Sequence, residues 1–179
     1  MAQSSILKDK EGDVLQIDKF TGALATENQW QALLEEGLLF TASHVATGIN
    51  NSSDLAVLIK VGATPIHLGF RVEGTGETEI RVRETVLVSG DGTAVPVFNR
   101  NRVAANTPSV TVFVTPTITD EGTVLLDEIL AQSGARETRD GFEFILAANT
   151  NYSIVLDNIS GGSEDLAIVL DWFEDTSLV

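Results

Sequence analysis

Cysteine is absent from this chain of 179 residues. Disulfide bridges, thiolate nucleophiles and cysteine-ligated zinc sites are therefore excluded. Long apolar runs are also missing: Leu55 to Ile59 and Leu166 to Leu170 have five residues each, against the roughly 18 that a membrane-spanning helix needs. The sequence therefore predicts that the protein does not cross a membrane and is stabilised by packing or assembly.

Positive charge is scarce. The chain has 11 Lys and Arg residues against 26 Asp and Glu residues, which gives a net charge of -15 at pH 7. Nucleic-acid affinity depends mainly on the neutralisation of phosphates by basic side chains, so we expect no nucleic-acid partner. An acidic particle stays soluble and can dock on a partner that carries a positive patch.

Residues for catalysis and metal binding are few or poorly arranged. His44 and His67 are the only imidazoles, and their spacing supplies no partners for a metal site or a Ser-His-acid triad. The acidic loops over 73–79 and 89–93 do not fit the ligand spacing of an EF-hand calcium loop and are explained by turn formation. We therefore predict two structural histidines, no enzymatic activity, no metal and no cofactor.

Short segments rich in Val, Ile, Leu, Thr and Phe follow one another from about Leu38 onward, separated by Gly, Asn, Asp, Ser or Pro. This pattern predicts about ten strands, a number and spacing typical of an all-β sandwich or barrel. Pro96 suggests that its strand lies at a sheet edge. The predicted strands are 39–47, 54–61, 65–73, 77–88, 94–99, 109–118, 123–131, 141–147, 152–158 and 165–173.

Alternation of side chains predicts which strand faces are buried. In the strand 77–88 most apolar side chains share one face, and Arg81 and Arg83 share the other, which we expect to face water. The last strand, 165–173, pairs an apolar face with a second face that carries Val169 and is less polar than a solvent-facing surface. That second face predicts contact either with another chain or with a covering loop.

One helix is predicted before the strands. Thr26 and Gln29 form a capping-box pattern, and Gly37 ends a helix over 27–36. The first 25 residues have weak patterning and are expected to form an arm. The predicted domains are 1–37, an arm with a short helix, and 38–179, a β-sandwich.

Basic residues cluster more than the acidic background would suggest. Five of the eleven are Arg71, Arg81, Arg83, Arg100 and Arg102. They form either a positive patch that meets an acidic neighbour or an ordinary balance of surface charge. The predicted contact residues, to a neighbouring subunit or a larger scaffold, are Arg81, Arg83, Asn99, Arg100, Asn101 and Arg102, with the alternative that Asn99 and Asn101 only shape a turn.

Several short motifs resemble a known family. They are the N-R-N-R turn at Asn99 to Arg102, the L-x-x-N-T-x-Y run from Leu146 to Tyr152, and the closing W-F-E at Trp172 to Glu174. Together they resemble head decoration and structural proteins of tailed bacteriophages, over about residues 38 to 174. The chain departs from that pattern at Phe144, where a Trp is common, and at Ala42, which replaces Gly before Ser-His.

The resemblance implies a jelly-roll-like antiparallel β-sandwich of about ten strands, preceded by the arm and one short helix. It implies a capsid decoration or cement protein, made in the host cytoplasm, that has no catalytic site and binds the outside of the major capsid protein lattice. A clamp at a local three-fold axis would be a homotrimer. The arm of residues 1–25 is the first candidate for the capsid-binding element. The alternative function is a carbohydrate-binding or adsorption module of a virion fibre or tail.

Overall fold

The computed structural model describes residues 29–131, 134–137 and 144–174. The predicted arm lies outside the described residues, and the described residues from Leu33 onward belong to one compact unit. The elements are α1 (Gln29–Glu35), β1 (Leu39–Ile49), β2 (Asp54–Lys60), β3 (Ile66–Gly74), β4 (Thr78–Glu84), β5 (Leu87–Gly90), β6 (Thr93–Val95), β7 (Val97–Asn99), β8 (Thr111–Val114), β9 (Thr117–Asp120), β10 (Thr123–Leu130), β11 (Gly134–Glu137), β12 (Phe144–Leu146), β13 (Asn151–Asn158) and β14 (Glu164–Glu174).

The strands form two six-stranded antiparallel sheets with jelly-roll connectivity, and β5 and β9 form a separate two-stranded sheet. Sheet A has the order β11-β3-β14-β1-β7, with β12 beside β11 on the same side of β3, and sheet B has the order β10-β4-β13-β2-β8-β6. The chain alternates between the sheets from β1 to β4, as in a double-sheet jelly roll. It then runs from β10 in sheet B through β11 and β12 in sheet A to β13 in sheet B and β14 in sheet A. The predicted all-β, jelly-roll-like sandwich is therefore confirmed, and the barrel alternative is not.

The core lies between the two sheets. The predicted inner face of the last strand is confirmed, because Leu166, Ile168, Leu170 and Trp172 are all buried. The ring of Trp172 stacks on Phe40 of β1 with centroids 6.1 Å apart. Full burial of each large apolar side chain contributes roughly 1.5–3 kcal/mol, which makes this shared interior the main stabilising feature of the sandwich.

Three predicted strands are each divided into two, for visible reasons. Thr85 and Thr115 have φ values of 58° and 54°, which take the backbone out of the extended region. Pro96 lies between β6 and β7 and has no N–H group to donate to a ladder. Because β6 ends sheet B and β7 ends sheet A, the edge position predicted for the Pro96 strand holds for both halves.

Helix α1 ends as predicted at Gly37. The N–H of Gly37 donates to the carbonyl of Leu34 over 3.1 Å, and the N–H of Leu38 donates to the carbonyl of Leu33 over 2.9 Å. These two bonds, with a φ of 71° at Gly37, form a Schellman C-cap. Within the described ranges, no helix is long and apolar enough to cross a bilayer.

Candidate interaction surfaces

Part of the segment that joins β4 to β10 covers the outer face of sheet B. This segment, residues 85–122, is called here the insertion and contains β5 to β9. Its strands β6 and β8 belong to sheet B and β7 belongs to sheet A, whereas residues 115–121, which include β9, lie over the outer face of sheet B. Leu58 and Ser153 belong to the outward-facing side of sheet B, yet each is 0% exposed. Arg83 on the same side is 7% exposed, so the prediction that this face is wet is wrong at Arg83.

Two ion pairs lie on the covered face. The guanidinium of Arg81 pairs with Asp157 of β13, and the guanidinium of Arg83 pairs with Glu121 in the turn before β10. Burial by itself lowers the pKa of Arg81, but the hydrogen bond and charge of Asp157 outweigh it, and the net shift is upward. The second pair fastens the end of the insertion to the sheet that it covers.

A cleft of about 380 Å³ lies between sheet B and the insertion. Sheet B and the insertion both contribute aliphatic side chains to its lining. Arg81 and Arg83 also line the cleft, together with their carboxylate partners. The Nε atoms of Arg81 and Arg83 are buried there without a hydrogen-bond partner. The lining residues are Asp54, Ala56, Arg81, Arg83, Thr115, Pro116, Ile118, Glu121, Val155 and Asp157.

The loop after β7 binds the end of helix α1 through asparagine side chains. The Nδ2 group of Asn99 donates to the carbonyl of Gly37 over 2.7 Å, and that of Asn101 donates to the carbonyl of Glu35 over 3.0 Å. Asn106 donates in the same way to the carbonyl of Glu36 over 2.9 Å. Helix C-termini leave carbonyls without partners, and these amides satisfy them. The Oδ1 atoms of Asn99 and Asn101 also accept from the backbone N–H groups of Asn101 and Val103, over 2.9 and 3.2 Å, so both side chains take part in the turn, and whether they also make an intersubunit contact stays a prediction.

The arginines of the same loop lie beside the outer face of sheet A. Arg100 approaches Asp171 of β14 with Nη1 and Oδ1 3.5 Å apart. The guanidinium carbon of Arg102 lies 5.3 Å from the ring centroid of Phe98, a cation–π contact. Phe98 is itself 49% exposed. Charge and an exposed aromatic ring therefore meet at this corner of the sheet.

The outer face of sheet A exposes apolar side chains. Val45 of β1 is 62% exposed and Ile145 of β12 is 58% exposed. Strand β14 lies between β1 and β3. Its side chains on this outer face are half-buried, with Val169 at the centre. Arg71 pairs with Glu73 over 3.3 Å, so the charges bordering this face are balanced rather than acidic in excess.

The predicted contact residues do not form one patch. Arg81 and Arg83 lie on β4 in sheet B, whereas Asn99 and the two arginines after it lie beside β7 at the edge of sheet A. The exposed apolar residues Phe98 and Val45 were not predicted as contact residues. Their strands alternate normally, and only the pairing of β7 with β1 shows that both lie on the same open face.

Histidines and large aromatics have ordinary packing roles. His67 stacks on Phe173 with ring centroids 4.3 Å apart, and His44 lies on β1, in a different strand of sheet A. In the described part of the chain, no group of three or more His, Asp or Glu side chains is arranged to hold a metal. Tyr152 and Trp172 are buried and present no stacking surface for a sugar.

Comparison with known proteins identifies no family for this chain. No family model matches the chain, and no curated protein matches it. Solved structures include the infectious bursal disease virus Gt strain, at 12% identity and a TM-score of 0.16, and T=1 particles derived from infectious bursal virus, at 10% identity and 0.14. The chain is covered to 92% but spans about half of those chains, at 46% and 45%. Scores of this size do not indicate a shared fold.

Proposed function

We propose that this protein is a structural component of a virus particle, a decoration or cement protein that binds the outer surface of a capsid lattice. The observation that carries the proposal is the contrast between the two sheets. Residues 115–121 of the insertion lie over Arg81 and Arg83 on the outer face of sheet B, whereas Val45, Phe98 and Ile145 are exposed on the outer face of sheet A. Exposed apolar side chains of sheet B, such as Ile129, lie on its edge strand β10. A jelly-roll sandwich with one open apolar face is suited to adhesion to a larger scaffold.

Charge distribution supports the same face. The chain has a net charge of -15, yet Arg71 and Arg100 are paired with carboxylates at the border of the open face, and Arg102 lies over Phe98. A surface without the acidic excess meets an anionic or neutral scaffold with less repulsion than the remainder of the molecule would. The sequence motifs that resemble phage decoration proteins supply the choice of a capsid as that scaffold.

Stabilisation would come from many small contacts rather than from chemistry. Burying one exposed Val or Phe side chain contributes roughly 1.5–3 kcal/mol before the cost of association is subtracted. A ligand that binds only the intact lattice shifts the equilibrium toward that lattice in proportion to its occupancy. Repeated over a shell, weak binding by each copy therefore opposes opening of the whole.

The test is co-sedimentation of the purified protein with shells assembled from the capsid protein of the same virus. Phe98→Asp places a charge at the β7 edge of the open face, and we expect it to weaken binding by tenfold or more, about 1.4 kcal/mol. The matched control is Ile129→Asp on β10 of sheet B, where the side chain is 56% exposed. The control variant should bind shells as the unmodified protein does.

Three results would count against the proposal. They are failure of the unmodified protein to bind shells, full binding by Phe98→Asp, and a selective loss with Ile129→Asp. A variant that lacks residues 1–25 addresses the arm separately, because the described residues say nothing about it. Loss of binding in that variant alone would move the contact from the open face to the arm. Three-fold assembly stays a prediction.

A further inference from the structure

Strand β1 has an open edge. On the side away from β14, β7 pairs with Phe40 to Ala42 and stops there. From Ser43 to Thr47, no described strand pairs with that side of β1, although the same residues continue beside β14 as far as Ala46. An unpaired row of backbone N–H and carbonyl groups is a template for another strand.

The other sheet edges are protected in ways that this edge is not. Strands β6, β7 and β12 have only three residues each, and Pro96 separates the first two. Strand β10 carries Asp127 and Glu128, and β11 has only four residues. Short length, proline and charge are the usual devices against edge pairing. Strand β1 has eleven residues and no Asp, Glu, Lys, Arg or Pro.

The open segment is also complementary to itself. In an antiparallel pair centred on Val45, valine meets valine, Ser43 meets Thr47 of the second copy, and His44 meets Ala46. Serine and threonine opposite each other form favourable cross-strand hydrogen bonds, and valine pairs pack well. No like charges are brought together, which matters because each copy has a net charge of -15.

From this edge we propose that two copies of the chain associate through antiparallel pairing of Ser43 to Thr47 of β1 around a two-fold axis at Val45. Sheet A then continues from one copy into the next, and the 62% exposed side chain of Val45 packs beside its equivalent. The contact is isologous and joins copies two at a time through the strand edge, whereas the proposed binding to a lattice uses the outer face of sheet A, on which Val45 also lies.

Disulfide capture tests the register directly, because the chain has no cysteine of its own. In the proposed pair, residues 45 of the two copies lie opposite each other, at the roughly 4.5–5.5 Å between Cα atoms that a disulfide can bridge. Residues 47 are displaced along the strands by four positions, roughly 13 Å at 3.3 Å per residue. Val45→Cys should therefore form a covalent dimer under mild oxidation, and Thr47→Cys should not.

Val103→Cys is the control for random collision, since residue 103 is 94% exposed in the loop after β7. We expect the Val45→Cys variant to cross-link at least about tenfold faster than the Val103→Cys variant. Equal rates for the three variants, a faster rate at 103, or no covalent dimer would overturn the proposal.

Sedimentation gives a second measurement without cysteine chemistry. Lysine on an edge strand disfavours pairing with another strand. Val45→Lys should therefore lower the average mass from that of a dimer toward that of a monomer, at concentrations where the unmodified chain associates. Ile129→Lys, an equally exposed site in sheet B, should leave the mass unchanged. If the unmodified protein and Val45→Lys sediment alike, two-fold pairing of β1 does not occur.

Discussion

At several strand ends, a single polar side chain forms hydrogen bonds with the backbone of the adjoining turns. Asn158 at the end of β13 is fully buried and donates through Nδ2 to the carbonyls of Ile49 and Gly162, over 2.7 and 2.8 Å. Its Oδ1 accepts from the N–H of Ser160 over 3.0 Å. One amide therefore satisfies three backbone groups from two turns, and a carboxylate at this position would repel both carbonyls.

Tyr152 couples such a contact to pH. Its hydroxyl oxygen accepts from the N–H of Ala147 over 2.9 Å, and burial raises the pKa of the phenol. Tyr152→Phe should lower the free energy of unfolding at pH 7 by about 1 kcal/mol, because the Ala147 N–H loses its acceptor. Urea denaturation of the two proteins measures this difference.

The sign of the pH effect follows from the raised pKa of Tyr152. The neutral phenol is favoured in the folded state, so its contribution is complete below the unfolded pKa of about 10 and is lost as pH rises through the higher folded pKa. The phenylalanine variant lacks that loss. The stability gap between the two proteins should narrow above about pH 10, and a gap that widens there would contradict this account.

At the scale of elements, the C-terminal end of the insertion is attached to sheet B. Gly122, in the turn before β10, has a φ of 65°, and a Cβ there would lie 2.0 Å from the carbonyl oxygen of Glu84. Only glycine permits this close return of the chain to sheet B. This turn places Glu121 beside Arg83, so the backbone conformation at Gly122 and the ion pair support the same geometry.

Glu121→Gln tests this attachment. The side chain of Arg83 is 8% exposed, and the variant leaves its guanidinium without a counter-charge. Because Glu121 itself is 68% exposed, water partly screens the pair, and we expect a cost of only about 1 kcal/mol. Hydrogen exchange should accelerate in β5 and β9, which form a separate two-stranded sheet, while the core strands β13 and β14 stay protected.

Glu73→Gln is the matched control, since it breaks the more exposed pair with Arg71 on sheet A. It should leave exchange in the insertion unchanged. Uniform acceleration throughout the sandwich with Glu121→Gln would show that the sheet of β5 and β9 does not open separately from the core.

At the scale of the whole molecule, charge opposes compactness. A net charge of -15 on 179 residues produces self-repulsion that the packed sandwich must overcome. Added salt screens charges that lie about 10 Å or more apart at 0.1 M. The same repulsion acts between copies, which makes the uncharged strand β1 the segment where they approach most easily.

Raising sodium chloride from 10 to 200 mM should therefore raise the melting temperature. If screening contributes about 1 kcal/mol, the shift for a protein of this size is roughly 2–4 °C. Differential scanning calorimetry at pH 7 gives the measurement. A fall in melting temperature would show that surface ion pairs such as Arg100 with Asp171 outweigh the general repulsion.

Features that depend on neighbouring residues were predictable from the sequence, whereas features imposed by the surrounding structure were not. Gly37 and the apolar alternation of Leu166 to Trp172 are local signals, and both predictions are confirmed. The strand breaks at Thr85 and Thr115 were missed, because a positive φ at threonine is imposed by surrounding structure and has no sequence signature. The contact roles of Arg81, Arg83, Arg100 and Arg102 stay predictions.

The amino-acid sequence alone determined the all-β class, most strand positions, the C-cap of the helix and the lack of cysteine chemistry, because each depends on neighbouring residues or on composition. Tertiary structure alone decided that Arg83 is buried, that Val45 and Phe98 share an open face, and that β1 keeps an unpaired edge. These depend on which strands pair and on where the 38 residues of the insertion fold back, and such long-range contacts leave no periodic pattern in the chain.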